Sequence, residues 1–229
     1  TKNTLDVTAG TLANAYGAKV TAKNGSADEN NVNIASSVTG SVYGAELTGT
    51  GTGDATKSTV KITAGTVGGD VYGGFTAGTG ATTGNTVNLG SAANAVASGT
   101  TIGTIYGGNK SAAADNTLNV YDSATARNIA NFDKINFKAT STHITVGDTL
   151  LTLTTGATNF DWTKLHVDNL DNLNSSATSD RILTLMHTLS DIPTDNKVTG
   201  MQGVSLLYEF AFKKRNTDEL IATVTKAAI

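Results

Sequence analysis

The chain has 229 residues, among them 25 glycines, 40 threonines, one proline and no cysteine. Charged side chains make up 15% and aromatic ones 6%, with 16 basic against 19 acidic residues and a net charge of −3. This composition excludes disulfides, thiolate chemistry and cysteine-based metal sites, and it lacks the basic patch of a nucleic-acid partner.

No apolar run reaches the roughly 18 residues of a membrane-spanning helix, and Thr1-Lys2-Asn3 does not read as a signal peptide. Twenty-one of the 25 glycines lie in residues 1–110, whereas Trp162, Pro193, all three histidines and both methionines fall later. The texture changes near 122–133, which suggests repetitive coils over 1–132 and a continuation with a cap over 133–229.

In chain order, Asn3-Thr4-Leu5-Asp6-Val7, Asn30-Asn31-Val32-Asn33-Ile34, Ser58-Thr59-Val60-Lys61-Ile62, Asn85-Thr86-Val87-Asn88-Leu89 and Asn116-Thr117-Leu118-Asn119-Val120 superpose without gaps. Their anchors Leu5, Val32, Val60, Val87 and Leu118 are 27, 28, 27 and 31 residues apart. A second marker recurs between them, at Tyr16-Gly17, Tyr43-Gly44, Tyr72-Gly73 and Tyr106-Gly107, each after an aliphatic residue or alanine. Self-similarity at such a period signals stacked repeats.

Alternation of apolar and polar residues with a period of two makes each pentad a half-buried strand. Such a unit cannot bury its apolar side alone, but stacking successive units about 4.8 Å apart can. The predicted fold is therefore all-β, a parallel β-helix (β-solenoid) of repeated coils with a β-rich C-terminal cap. Stacking aligns an aliphatic ladder on Leu5, an aromatic ladder of Tyr16, Tyr43, Tyr72 and Tyr106, and an amide ladder of Asn3, Asn30, Asn85 and Asn116. Gly10, Gly65 and the glycine after each tyrosine are expected at corners that need positive φ. Residues 92–96 read as a loop bulging from one coil.

In the second half, 134–137, 144–146, 151–153 and 164–167 are candidate strands that continue the coils. Residues 204–212 and 219–224, joined by Asn216-Thr217-Asp218, are expected to form a hairpin. A solenoid end exposes an unpaired strand, so a larger terminal segment suits a cap.

The repeated Tyr-Gly-Gly followed by Gly-Asn-Thr-Val-Asn-Leu, clearest over 71–89, resembles the coils of large bacterial surface adhesins. The run from Gly147-Asp148-Thr149 through Tyr208-Glu209-Phe210 to Leu220–Val224 is similar to the autochaperone-like cap of a type V autotransporter passenger domain. That resemblance implies a passenger piece at the extracellular face of a Gram-negative outer membrane, or secreted from it. It implies an adhesin or structural stalk touching host cells, glycans or a sister passenger. Any membrane attachment would run through a translocator barrel beyond Ile229. The absence of cysteine agrees with passage through an oxidising periplasm.

The chemistry-bearing residues are scattered. Asp6, Asp28, Glu29, Glu46, Asp54, Asp70 and Asp115 fall at unrelated phases of the repeat, and Asp133-Lys134 and Asp180-Arg181 read as surface charge. His143, His166 and His187 are spaced by about one short coil, yet their flanks do not align as a metal ladder. Gly68-Gly69-Asp70 is similar to a calcium-binding turn but occurs once. Thr4, Thr59, Thr86 and Thr117 align with Asn31 interrupting them, which suits an exposed strand face better than an ice-binding array. No catalytic, cofactor or metal residue is assigned, and the tyrosine ladder is the one candidate recognition feature. The reading is of a non-enzymatic surface protein. The alternative, a carbohydrate-active β-helix enzyme such as a polysaccharide lyase or hydrolase, needs two carboxylates, or a carboxylate and a base, facing one cleft.

Overall fold

Aliphatic and β-branched residues at every second position favour extended backbone, and the polar segments between them turn the chain. The computed structural model describes residues 2–110, 114–138, 148–155, 164–168, 181–188, 207–216 and 218–227. Over these residues the chain is all-β, a parallel solenoid. The candidate strand at 144–146 lies outside the described residues.

One side of the coils is formed by β1 (Thr4–Val7), β5 (Asn31–Ile34), β9 (Thr59–Ile62), β12 (Thr86–Leu89), β14 (Thr117–Val120), β16 (Lys134–Lys138) and β18 (Leu165–Asp168). They pair in that order as a seven-stranded parallel sheet, about 29 Å along the axis. The register is the one the repeat predicts: Leu5 lies beside Val32, then Val60, Val87 and Leu118. The ladder continues through Ile135 to Leu165, so strand pairing runs on past residue 132.

A second side begins with the short strands β2 (Thr11–Leu12), β6 (Ser37–Val38) and β10 (Thr66–Val67). It continues with β3 (Ala15–Val20), β7 (Val42–Leu47) and β11 (Val71–Thr76). The longer β13 (Thr101–Gly108) pairs with both β10 and β11 and fuses the two runs into one sheet. Next come β15 (Ala124–Ala130), β17 (Thr149–Leu153) and β19 (Arg181–Thr188). A small third sheet pairs β4 (Ala27–Asp28) with β8 (Ala55–Thr56).

The inward ladders make one long core from Val7, Val32 and Ile34 to Leu153, Leu165 and Leu185. A second, smaller core of Ala27, Ala45, Leu47 and Ala55 lies in the early coils, which also carry the third sheet. Near their junction runs the amide ladder, with Asn30, Ser58, Asn85 and Asn116 fully buried. The Asn3 amide donates to the Asn30 side chain at 2.9 Å. Farther along, the side-chain oxygen of Asn85 accepts the Ser58 N–H, and that of Asn116 accepts the Asn85 N–H, both at 2.9 Å. Asp133 takes the next rung, accepting the Asn116 N–H at 3.2 Å after a coil of only 17 residues. The ladder thus satisfies backbone donors that turn inward at a corner where strand pairing cannot reach them.

The residue before each of the four fully buried rungs sits in left-handed backbone: Glu29, Lys57, Gly84 and Asp115 have φ of 57°, 51°, 67° and 62°. Gly10 and Gly65, at φ 79° and 89°, occupy the corners predicted for them. The glycines after the tyrosines do not. Gly17, Gly44, Gly73 and Gly107 lie inside β3, β7, β11 and β13, and what they supply is space. A Cβ on Gly44 would come 2.8 Å from the Ser58 Cβ, and one on Gly107 2.5 Å from that of Asn116.

At the far end β21 (Glu219–Ala227) pairs antiparallel with β19, and β20 (Leu207–Arg215) pairs antiparallel with β21. The expected hairpin therefore forms and turns the parallel stack into an antiparallel edge. Arg215 fastens it, donating to Glu219 at 2.7 Å and to the Thr184 hydroxyl at 2.9 Å.

Candidate functional site

Outward rows result from this winding on each main sheet. On the second sheet, valine, alanine or isoleucine points inward, tyrosine outward and glycine inward again, so Tyr16, Tyr43, Tyr72 and Tyr106 align in neighbouring strands. Their rings stack at centroid distances of 5.2, 5.2 and 4.8 Å, within 8° of parallel. Phe75 abuts Tyr43 and Tyr72 edge-on at 5.9 and 5.4 Å. Lys19 lies 4.5 Å over the Tyr16 ring and pairs with the buried Glu46 at 2.8 Å. In register, Ala130 follows Tyr106 and ends the aromatic row.

Because the rings lie on one another, Tyr43 and Tyr72 have both faces covered. The stripe offers ring edges and hydroxyls, where a sugar-stacking platform needs an open face. Burial raises the Tyr43 hydroxyl above its usual pKa, and burial with the nearby Asp70 carboxylate pushes Tyr72 up to about 12. An acid whose folded pKa is raised keeps its proton when the unfolded chain has lost it. Tyr72 therefore stabilises the fold fully below pH about 10, and that contribution is lost as pH rises towards 12. The urea midpoint should fall across this window and fall less steeply in Tyr72→Phe; equal slopes would refute this assignment.

On the outer face of the first sheet, Asp6, Asn33, Lys61, Asn88, Asn119 and Asn136 align one per coil. Asn33 donates to Asp6 at 2.5 Å, Asn119 to Asn88 at 2.8 Å and Asn136 to Asn119 at 2.8 Å. Beside this row Thr4, Asn31, Thr59, Thr86 and Thr117 align as the repeat predicts.

The 92–96 loop is legible in the sequence, but its direction is not. The coil pairs up to Gly90, whose N–H bonds to Ile62, and pairing resumes where the Ala97 N–H bonds to Thr63. Between them the chain makes an excursion, anchored at its end by the Val96 N–H on the buried Asp122 carboxylate at 2.8 Å. Ala93, Asn94 and Ala95 form one wall of an open groove of about 590 Å³. Its floor holds Asp6, Asn33 and Lys61, with Thr8, Ala35 and Thr63 beside them.

The remaining candidates are dispersed. Asp70 accepts the Thr104 N–H at 2.9 Å and pairs with Arg127, so the Gly-Gly-Asp turn is tied to the next coils. Asp28 pairs with Lys57, Glu29 with Lys2 and Asp133 with Lys164. His166 is on the first sheet, and His187 is on the second, 3.7 Å from Asp218. His143 and Asp180 lie outside the described residues. No protein-family model, curated protein or solved structure matches the chain.

Proposed function

We propose that this chain is part of a bacterial surface passenger of the autotransporter type, acting as an adhesin or structural stalk. The observation that carries the reading is axial repetition. The same residue types recur along successive coils on both main outer faces, as four stacked tyrosines on one and as asparagine-rich and threonine-rich rows on the other. A rod of this kind places many copies of one weak contact along its length, and linked weak contacts give avidity. Host surfaces, glycans and sister passengers all present repeating partners for such a rod.

Two measurements test it. Beads coated with the purified chain should adhere to epithelial cells or clump with each other, and beads that do neither count against an adhesive role. The gene beyond the Ile229 codon should encode ten or so amphipathic segments of about ten residues each, the pattern of an outer-membrane barrel. A stop codon soon after Ile229 would remove the autotransporter assignment.

A carbohydrate-active enzyme is the second reading, favoured by one feature: Asp6 and Lys61 put a carboxylate and an amine in the same groove. Failure to release fragments from a broad polysaccharide panel would eliminate it.

A further inference from the structure

The groove under the 91–96 excursion differs from the rest of the outer face. Beyond the groove the row of Asn88, Asn119 and Asn136 is closed by its own amide bonds, and at the near end Asn33 bonds to Asp6. At Lys61 the row is broken by a half-buried lysine that forms no ion pair among the described residues. Lys2, Lys19, Lys57 and Lys164 each have a carboxylate, whereas Lys23, Lys110 and Lys134 share the lack of one among the described residues. What sets Lys61 apart is its place in the floor of the groove. Asp6, two rungs or about 9.6 Å along the axis, brings the opposite charge to the other end of the same floor.

Between them lies the Asn33 amide, which also donates to Asp6, while the Thr8 hydroxyl sits beside Asp6 on the same coil and the Asn94 amide is in the facing wall. Ala35, Ala93 and Ala95 add methyl groups. A ligand that fits this inventory carries an anionic group at one end, hydroxyls along its length and C–H faces between them.

We propose that the groove binds an acidic saccharide, a short glycan segment bearing a carboxylate. The carboxylate pairs with Lys61 as a charge-assisted hydrogen bond. Sugar hydroxyls donate to Asp6 and exchange hydrogen bonds with Asn33, Thr8 and Asn94, while ring C–H groups lie on the alanine methyls. Asp6 repels the carboxylate from its own end, so the ligand has one favoured direction along the rod. This inference rests on the adhesive reading above and names the glycan class that one site of the rod would take.

The test uses the 229-residue chain on a printed array of uronate-containing, sialate-containing and neutral glycans. Retention of at least one carboxylate-bearing class is expected, with signal falling as salt is raised. Lys61→Gln, whose side chain suits the amide row, should reduce that signal about tenfold or more, and Lys61→Arg should retain most of it. Reducing the carboxyl of the bound glycan to an alcohol should match the loss seen with Lys61→Gln. The proposal fails if no carboxylate-bearing glycan is retained, or if Lys61→Gln and the carboxyl-reduced glycan bind as well as the originals. Cell adhesion separates the two readings. If beads carrying Lys61→Gln adhere as before, adhesion stands and the groove is not its site. If the array is positive while beads adhere to nothing, the groove stands and the adhesive role does not.

Discussion

Asn85→Ala should lower the stability of the fold by about 3–5 kcal/mol, read as a shift of the urea midpoint. Asn85 is fully buried, and its side chain serves two backbone groups from different positions. Its oxygen accepts the Ser58 N–H at 2.9 Å, and its amide donates to the Ala55 carbonyl at 3.2 Å. Alanine leaves both groups without a partner in a site closed to water, at about 1–3 kcal/mol each, and opens a small void as well. Asn85→Ser is the informative control, because Ser58 occupies the equivalent rung naturally and still accepts the Asn30 N–H. It should recover part of the loss. In a solenoid each coil touches only its neighbours, so hydrogen-exchange protection should drop first around β9 and β12. An Asn85→Ala variant within about 1 kcal/mol of the parent would show that the amide ladder is a by-product of the coil rather than its support.

The ladders were legible in the sequence because a repeat compares the chain with itself. Leu5, Val32, Val60, Val87 and Leu118 align by counting, and stacking at strand spacing then forces their register. The hairpin around Asn216 was legible for a local reason, two apolar runs joined by a turn. What stayed hidden depends on what each residue meets in the next coil.

Glycine after tyrosine is ambiguous in one dimension, since it fits a left-handed corner or a crowded strand equally well. Only the rung of Asn30, Ser58, Asn85 and Asn116 packed against Gly17, Gly44, Gly73 and Gly107 decides for the strand. The left-handed corners escaped for the converse reason. Glu29 and Lys57 are not residues that advertise positive φ, and Asp115 does so only weakly, yet the buried rung that follows each one holds it there. The shortened coil before Asp133 broke the period, and Asp133 could be placed on the ladder only through its bond to the Asn116 N–H. The groove was invisible because loop direction is not encoded in the repeat. Residues 92–96 read as an extrusion, while their position against Asp6, Asn33 and Lys61 follows from where pairing resumes at Ala97.

The glycine assignment leads to the second large effect. Gly73→Ala adds one methyl group and should cost about 3 kcal/mol or more, a large share of the stability of an ordinary chain. The new Cβ would come nearer to the Gly107 carbonyl oxygen than van der Waals contact allows, and 2.7 Å from the Asn85 Cβ. Neither can step aside: the first is strand backbone in β13, and the second carries the buried rung. Relief requires prising β11 from β13, which breaks the pairing that aligns Tyr72 with Tyr106. Gly10→Ala provides the contrast, because a Cβ there meets nothing within 4 Å although φ is 79°. That substitution should cost only about 1–2 kcal/mol, the price of left-handed backbone in an L-residue. If conformational freedom were what the tyrosine-following glycines provide, Gly73→Ala would cost no more than Gly10→Ala. Thermal unfolding of the two variants side by side distinguishes the cases. Loss of the stacked-tyrosine signal in near-ultraviolet circular dichroism for Gly73→Ala alone would locate the damage between the third and fourth coils.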